Sequence, residues 1–400
     1  MRLSRRHFAA ATLAILAVPG RLRAASFADV RGAARGQTVY FNAWGGSEPI
    51  NAYVAWVGQR VAELYGITLQ HVKLTDTGDA VARVLAEKAA GRVSGGTVDL
   101  VWINGENFRA MKRQGLLHGP FTAELPNFAL VDTRNKPTTL IDFTEPTDGL
   151  ESPWGMAQFI LIHDSARVPQ PPRSIAGLFD WAAANPGRLT WPAPPDFIGS
   201  TFLKHVLHET LADPAPLREP VDAATFTAVS QPVWDALDRV LPNLWRKGQV
   251  WPASGPALHQ LMEDGEVDFS MAFNPAEASG LVAQGRLPET TRSFILERGT
   301  IANTHFVAIP FNASAREGAM VVADFLLSPE AQARKQDPGG WGDFTVLDVP
   351  ALPPADRALF EALPRGVATL APEELLPVLQ EPDASWMTQI EDGWRRRYAS

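Results

Sequence analysis

Between Gln37 and Gly115 the hydrophobic pattern switches repeatedly between the period of a strand and that of a helix, and few folds accept such a chain. Gln37–Asn42 is a short apolar run left through Gly45-Gly46-Ser47. Ile50, Val54, Val57, Val61 and Leu64 then recur at spacings of four, three, four and three, one stripe of an amphipathic helix. Ser47 is expected to cap that helix, Pro49 suits its first turn and Gly66 its end. Ile67–Lys73 reads as the next strand, Thr75–Gly78 as its exit loop, and Asp79–Ala90 as a helix stopped by Gly91. Val98–Ile103 is a third strand, and Asn104-Gly105-Glu106-Asn107 leads into a helix ending near Gly115. Strand–helix units in this rhythm build a parallel sheet with helices on its faces.

The middle of the chain repeats the theme less regularly. Trp154–His163 and Thr304–Ile309 read as extended, Leu189–Pro192 as a short strand, and Val267–Phe273 as a strand running into Asn274-Pro275. Helices are expected over Ser174–Ala184, Ser200–Leu211, Gln231–Arg246, Ala257–Asp264 and Ala315–Leu327. Four hundred residues exceed what one hydrophobic core usually serves, so two lobes are expected.

The N-terminus carries a basic head (Met1–Arg6), an apolar body (Phe8–Val18) and a small-residue exit at Ala24-Ala25-Ser26, the layout of a cleaved export signal over residues 1–25. Eleven apolar residues are too few for a bilayer core that needs about 20 in a helix. Ser4-Arg5-Arg6-His7-Phe8 matches the twin-arginine pattern; an ordinary secretory signal is the alternative. Without that segment the chain keeps 31 basic against 44 acidic residues, a net charge of −13. Such acidity argues against nucleic acid or an anionic lipid surface as partner. The absence of cysteine excludes thiolate chemistry and a lipid anchor on cysteine.

The stretch Thr304-His305-Phe306-Val307-Ala308-Ile309-Pro310, followed by Val321-Val322-Ala323-Asp324-Phe325-Leu326-Leu327-Ser328-Pro329-Glu330-Ala331-Gln332, resembles the return crossing of bacterial extracellular solute-binding proteins. Val98–Phe108, Glu151–Phe159 and Trp191–Phe202 look like the YnjB-like branch, itself akin to thiamine- and iron-type binding proteins. The resemblance spans roughly residues 37–345. It implies an α/β fold, the two-lobe clamshell of type II periplasmic binding proteins, with residues 27–154 plus 305–400 in one lobe and 155–304 in the other. The crossings near Trp154–His163 and Thr304–Ile309 would form the hinge. It also implies a soluble periplasmic monomer that hands a small-molecule solute to an ABC permease driven by a separate ATPase, with no cofactor.

Ligands in such folds sit at loops leaving the carboxyl ends of strands. That rule selects Asn42, Trp44 and Gly45 after the first strand, Thr75, Asp76 and Thr77 after the second, and Asn104, Glu106 and Asn107 after the third. Each set has a plainer reading: a glycine turn, a helix cap, or side chains meeting only water. From the other lobe come Asp196, Phe197, Ser200 and Thr201, where a helix start offers N–H groups to an anion or simply caps itself, together with Asn274 and Glu277. Trp154 and Gln158 flank the hinge. Trp102 reads as core, and Trp341 as a buried anchor more than a ligand contact.

Enzyme signatures are missing. No glycine directly precedes a lysine, so there is no Walker A loop, and no Gly-x-Ser-x-Gly elbow exists. His205-Val206-Leu207-His208-Glu209 matches neither zinc-protease order and reads as a solvated or half-buried helix face. The alternative of an enzyme or metal carrier on the same scaffold lacks a motif. Only four tyrosines occur (Tyr40, Tyr53, Tyr65 and Tyr398), none adjacent to another, which weakens a ferric site. Asp76, Glu106, Asp196 and Glu277 lie on strand exits that carry no Arg or Lys, so a neutral or cationic solute is expected, such as a heteroaromatic amine. A phosphate at Gly199-Ser200-Thr201 is the competing possibility.

The export signal makes a prediction. Replacing Arg5 and Arg6 together by Lys should strand unprocessed precursor inside the cell, seen by fractionation and immunoblotting. Normal processing of the double variant would assign the chain to the general secretory route.

Overall fold

The computed structural model describes residues 26–211 and 213–398; the expected signal segment lies outside them. After α1 (Phe27–Ala34) the chain lays down β1 (Thr38–Trp44), α2 (Glu48–Tyr65), β2 (Thr68–Leu74), α3 (Gly78–Ala89), β3 (Leu100–Ile103) and α4 (Gly105–Arg113). A small hairpin, β4 (Ile141–Asp142) and β5 (Glu145–Pro146), precedes the long β6 (Glu151–Gln158). The second region holds β7 (Ile160–Asp164), α5 (Ile175–Ala184), α6 (Phe197–Thr210), α7 (Ala223–Val229), α8 (Gln231–Val240), α9 (Gly255–Glu263), β8 (Phe269–Ala272), α10 (Glu277–Ala283) and β9 (Thr291–Phe294). β10 (Thr300–Ala308), α11 (Arg316–Leu326), α12 (Pro329–Gln336), α13 (Pro354–Glu361), β11 (Val378–Leu379) and α14 (Ala384–Tyr398) complete the chain.

Two sheets organise these elements. The larger runs β11-β10-β3-β1-β2, with β6 also on β10; β1 pairs β2 and β3 in parallel, whereas β10 is antiparallel to β3 and β6. The smaller is antiparallel, β8-β7-β9. Alternation splits the large sheet's side chains between two cores. Val39, Phe41, Leu100 and Val307 pack with α2 and α11 on one face, while Val101, Ile103, Phe306 and Ala308 pack with α3 and α4 on the other. The second sheet has its own core around Phe159, Leu161, Trp191, Phe202 and Met271.

The early elements fall where periodicity places them, and the departures have local causes. Gly66 adopts φ 68° and closes α2 through its N–H to Ala62, but Ser47 makes no side-chain cap and Leu64 faces solvent. The helix expected to run to Arg246 ends at Val240, because Pro242 follows and the chain continues as 3-10 turns. Leu189–Pro192 joins no sheet. His205 is no solvated face: it is buried, with Nδ1 against the Thr201 carbonyl and Nε2 accepting from the Ile301 N–H.

The lobe boundaries expected from sequence need two corrections. Residues 155–158 and 300–304 pair within the larger sheet, so the chain changes sheets just after Gln158 and again between Phe294 and Thr300. The last part of 305–400 does not stay in the first lobe. Trp386, Ile390 and Trp394 of α14 sit in the core of the second, with Trp394 4.7 Å from Trp251 and 6.2 Å from Trp191, ring centre to ring centre. The chain therefore passes between the lobes a third time, before α14.

Trp394 should then behave as a core residue of the second lobe. Trp394→Ala is expected to cost about 3–5 kcal/mol in chemical denaturation, the range for deleting a buried tryptophan. A loss below about 1 kcal/mol would mean that α14 is peripheral.

Candidate functional site

The two lobes face each other across a cavity of about 340 Å³ lined from both sides. From the first lobe it receives Trp44, then Thr75, Asp76 and Thr77 from the loop after β2, then Asn104, Glu106 and Asn107 from the loop after β3. From the second it receives Asp196 and Phe197 at the start of α6, and Asn274 and Glu277 after β8. These residues meet because both sets leave carboxyl ends of strands or open helices pointing at the same gap.

Several side chains serve the scaffold and the cavity at once. Asp76 Oδ1 accepts from the Gly78 N–H at 2.7 Å, a turn just ahead of α3 whose N-cap is Thr77, and Thr77 Oγ1 donates to the Trp102 carbonyl at 3.2 Å. Asn104 Nδ2 donates to the Thr304 carbonyl at 2.5 Å, tying the β3 exit to β10. Asn274 Nδ2 donates to the Trp341 carbonyl at 2.6 Å, a bond between the lobes. Asp196 caps α6, its Oδ1 accepting from the Ile198 and Gly199 N–H groups at 3.0 and 3.3 Å.

The other sequence candidates lie behind the wall. Asn42 is buried between the Tyr40 carbonyl and Arg83, and Gly45 packs its backbone against Lys73. Trp154 is wholly buried behind Trp102 and Trp341. Gln158 donates to Thr300 Oγ1 and to the Leu375 carbonyl, fastening the hinge. Ser200 and Thr201 are buried because α6 begins at Phe197, a turn earlier than expected; the Ser200 N–H is spent on the Asp196 carbonyl. No free helix start remains at Gly199-Ser200-Thr201. Gly199 is there for closeness: a Cβ would stand 2.0 Å from the Pro192 carbonyl oxygen.

Residues that the sequence reading passed over complete the cavity. Trp102 and Trp341, read as core and anchor, line it with His305; the Trp102 ring centre lies 5.6 Å from Trp341 and 5.0 Å from His305, and His305 stacks on Trp341 at 6.0 Å. Below them Asp343 binds Lys335 at 2.7 Å and His305 Nε2 at 3.0 Å. Phe143, at the tip of the β4–β5 hairpin, and Met387 and Glu391 of α14 close the far side. A polar His305 inside an apolar strand, and an acid two residues past Trp341, were the signals available. For α14 it was Trp386, Ile390 and Trp394 at spacings of four, with Met387 and Glu391 beside that stripe.

The cavity wall carries six carboxyl side chains and no Arg or Lys. Burial pushes Glu106 up to about 7, helped by Glu391 and Asp76 against its own N–H and Lys204. Burial lifts Asp196 to about 6 and raises Glu277 and Glu391 as well. Asp343 is the exception: burial alone would raise it, but Lys335 and His305 hold it below the ordinary carboxylate value. Burial keeps His259 neutral, lowered to about 4.

The sign of the pH effect follows. A carboxyl group raised in the folded state opposes folding once ionised, and that penalty lifts as pH falls from above 7 towards the unfolded value near 4.5. His205, His208 and His259, lowered when folded, act oppositely below their unfolded value of 6.5. The contribution of Glu106 is therefore the difference between wild type and Glu106→Gln. Thermal melts of the ligand-free proteins between pH 8 and 6 should show wild type gaining on the variant as pH falls. Parallel curves would show that Glu106 is not held in its protonated form.

Comparison with known proteins agrees with this architecture. The sequence profile of bacterial extracellular solute-binding proteins matches residues 56–354. Protein YnjB of Escherichia coli (strain K12) is 45% identical over 377 residues, 94% of this chain and 95% of that one. Among solved structures, a putative spermidine/putrescine ABC transporter from Listeria monocytogenes superposes with a TM-score of 0.63 at 16% identity, over 90% of this chain and 98% of that one. The periplasmic binding protein AfuA from Actinobacillus pleuropneumoniae, with fructose-6-phosphate bound, gives 0.63 at 13% identity, over 91% and 99%. With two lobes, a hinge of paired strands and a cleft between them, this chain belongs to the bacterial extracellular solute-binding proteins, with the type II periplasmic binding fold.

Proposed function

We propose that this chain captures a neutral or cationic small organic solute in the interlobe cleft and, as a monomer, presents it to the permease of an ABC importer. Solute-binding proteins of this family serve such permeases, and a separate ATPase supplies the work. The twin-arginine signal over residues 1–25 would deliver the chain to the periplasm.

The observation that carries the reading is the cavity's electrostatics: Asp76, Glu106, Asp196, Glu277, Asp343 and Glu391 line it without an Arg or Lys among them. A desolvated phosphate or carboxylate needs charge-assisted donors, usually an Arg fork or a lysine. The α6 start, where the sequence offers backbone N–H groups to a phosphate, is occupied by the protein's own Asp196 carboxylate. Trp44, Trp102 and Trp341 meanwhile offer faces to a cation or a flat ring. The two structural neighbours name a polyamine and a sugar phosphate, and at 16% and 13% identity they share the fold alone. The charge on the walls has to decide between them.

Thermal-shift screening of a mixed library of amines, sugars, amino acids, dicarboxylates and phosphates tests this, since a ligand of the folded state raises the melting temperature by mass action. Amines or neutral organic compounds should give the largest shifts. Inorganic anions, sugar phosphates or dicarboxylates at the head of the ranking would overturn the reading.

A further inference from the structure

α14 lies beyond the residues matched by the family profile, yet it puts Glu391 into the cavity wall. The side chain is held in place: Glu391 Oε1 accepts from Ser200 Oγ at 2.6 Å, and Trp394 one turn later is locked in the second core. Across the cavity stand Asp76 and Glu106 of the first lobe. The three are close enough that Asp76 disfavours ionisation of both Glu106 and Glu391, and Glu391 disfavours that of Glu106.

The neighbouring cations are committed elsewhere. Lys204 pairs with Glu381 at 2.5 Å, both side chains almost wholly buried, and Arg395 pairs with Asp392 at 2.8 Å. An independent feature of the same wall also asks for a donor. Asn303, 4% exposed, spends its Nδ2 on Glu381 at 3.2 Å, and its Oδ1 accepts from nothing. A buried acceptor left without a donor forfeits the hydrogen bond it would make in water. Asp76 Oδ1, Glu106 Oε1 and Glu391 Oε1 each accept one hydrogen bond from the protein, which leaves the three carboxylates and the Asn303 amide oxygen with acceptor capacity facing one cavity.

We infer that Glu391 is a ligand-binding residue, and that with Asp76, Glu106 and the Asn303 carbonyl it holds an ammonium or amidinium end of the solute. This rests on the cationic branch of the function proposed above and adds the place where the charge sits. An ammonium has three N–H donors and an amidinium four, so either can serve several of these oxygens together. The arrangement also ties ligand to closure. Glu391 moves with the second lobe and Asp76 and Glu106 with the first, so in an empty closed state the carboxyl groups crowd one another and ionisation is disfavoured, whereas a cation between them favours both ionisation and closure.

The test uses the full chain and defined probes: butylamine, putrescine, agmatine, benzylamine and benzamidine, against butanol, butanediol and benzyl alcohol as neutral controls, by calorimetric titration. Wild type should bind at least one amine or amidine more tightly than its neutral control. Glu391→Gln, which preserves size and the bond to Ser200, should weaken that compound by about tenfold to a hundredfold, the loss for one charged hydrogen bond. Circular dichroism should be unchanged. Glu106→Gln, from the opposite lobe, should show the same loss and stands in if the first variant fails to fold. Affinities within twofold of wild type in both variants would overturn the clamp while leaving the cationic reading intact. A wild type that binds none of these cations, or binds the neutral controls equally well, would overturn the clamp; anions heading the thermal-shift ranking would overturn both.

Discussion

The structure hangs on a buried ion pair beneath the cleft. Lys335 and Asp343 have fully buried side chains 2.7 Å apart, and the lysine also donates to the Phe344 carbonyl. Taking two charges out of water is costly, and such a pair is tolerated only when geometry and further hydrogen bonds compensate. Here they do: Asp343 takes a second bond from His305 of β10, and Phe344 exchanges backbone bonds with Met156 of β6. One salt bridge thereby fastens the end of α12 to both long strands that carry the hinge. Gly155 keeps the space clear, since a Cβ there would stand 2.0 Å from Asp343 Oδ2. His305 and Trp341, oriented by this arrangement, become the floor of the cavity.

The parts of the fold that were legible in the sequence are those governed by local rules. The stripe from Ile50 to Val61, the glycine at 66 and the acids and amides after β2 and β3 obey periodicity, capping and the exit rule for parallel strands. What escaped depends on distant partners. Trp102 packs with the core and also faces the cavity, a distinction set by a ring 239 positions later at Trp341. Ser200 and Thr201 lie behind the cavity wall by one turn of helix, because Asp196 is the cap and α6 starts at Phe197. The C-terminal helix followed the nearest available core, and no single segment announces which core that is.

The cleft also shows why fold resemblance and ligand chemistry separate. The same clamshell in other proteins is named for a polyamine or holds a sugar phosphate, because the sheet supplies positions and the exit loops supply charge. In this chain the exit loops and the N-cap of α6 are acidic, and the one lining carboxylate in a salt bridge to a lysine, Asp343, belongs to the floor that supports the site. The remaining acids are shielded by burial more than by counter-ions.

The third passage between the lobes has a consequence for how the molecule is made. The core of the second lobe takes Trp386, Ile390 and Trp394 from the final helix, and the larger sheet takes β11 from just before it. Neither half is a continuous stretch of chain, so a growing polypeptide cannot finish one and then begin the other. Until α14 is synthesised, the aromatic seam of Trp191 and Trp251 lacks Trp394, and apolar surface that the folded chain buries stays open. Completion of both halves waits for the segment from β11 through α14, which closes them together.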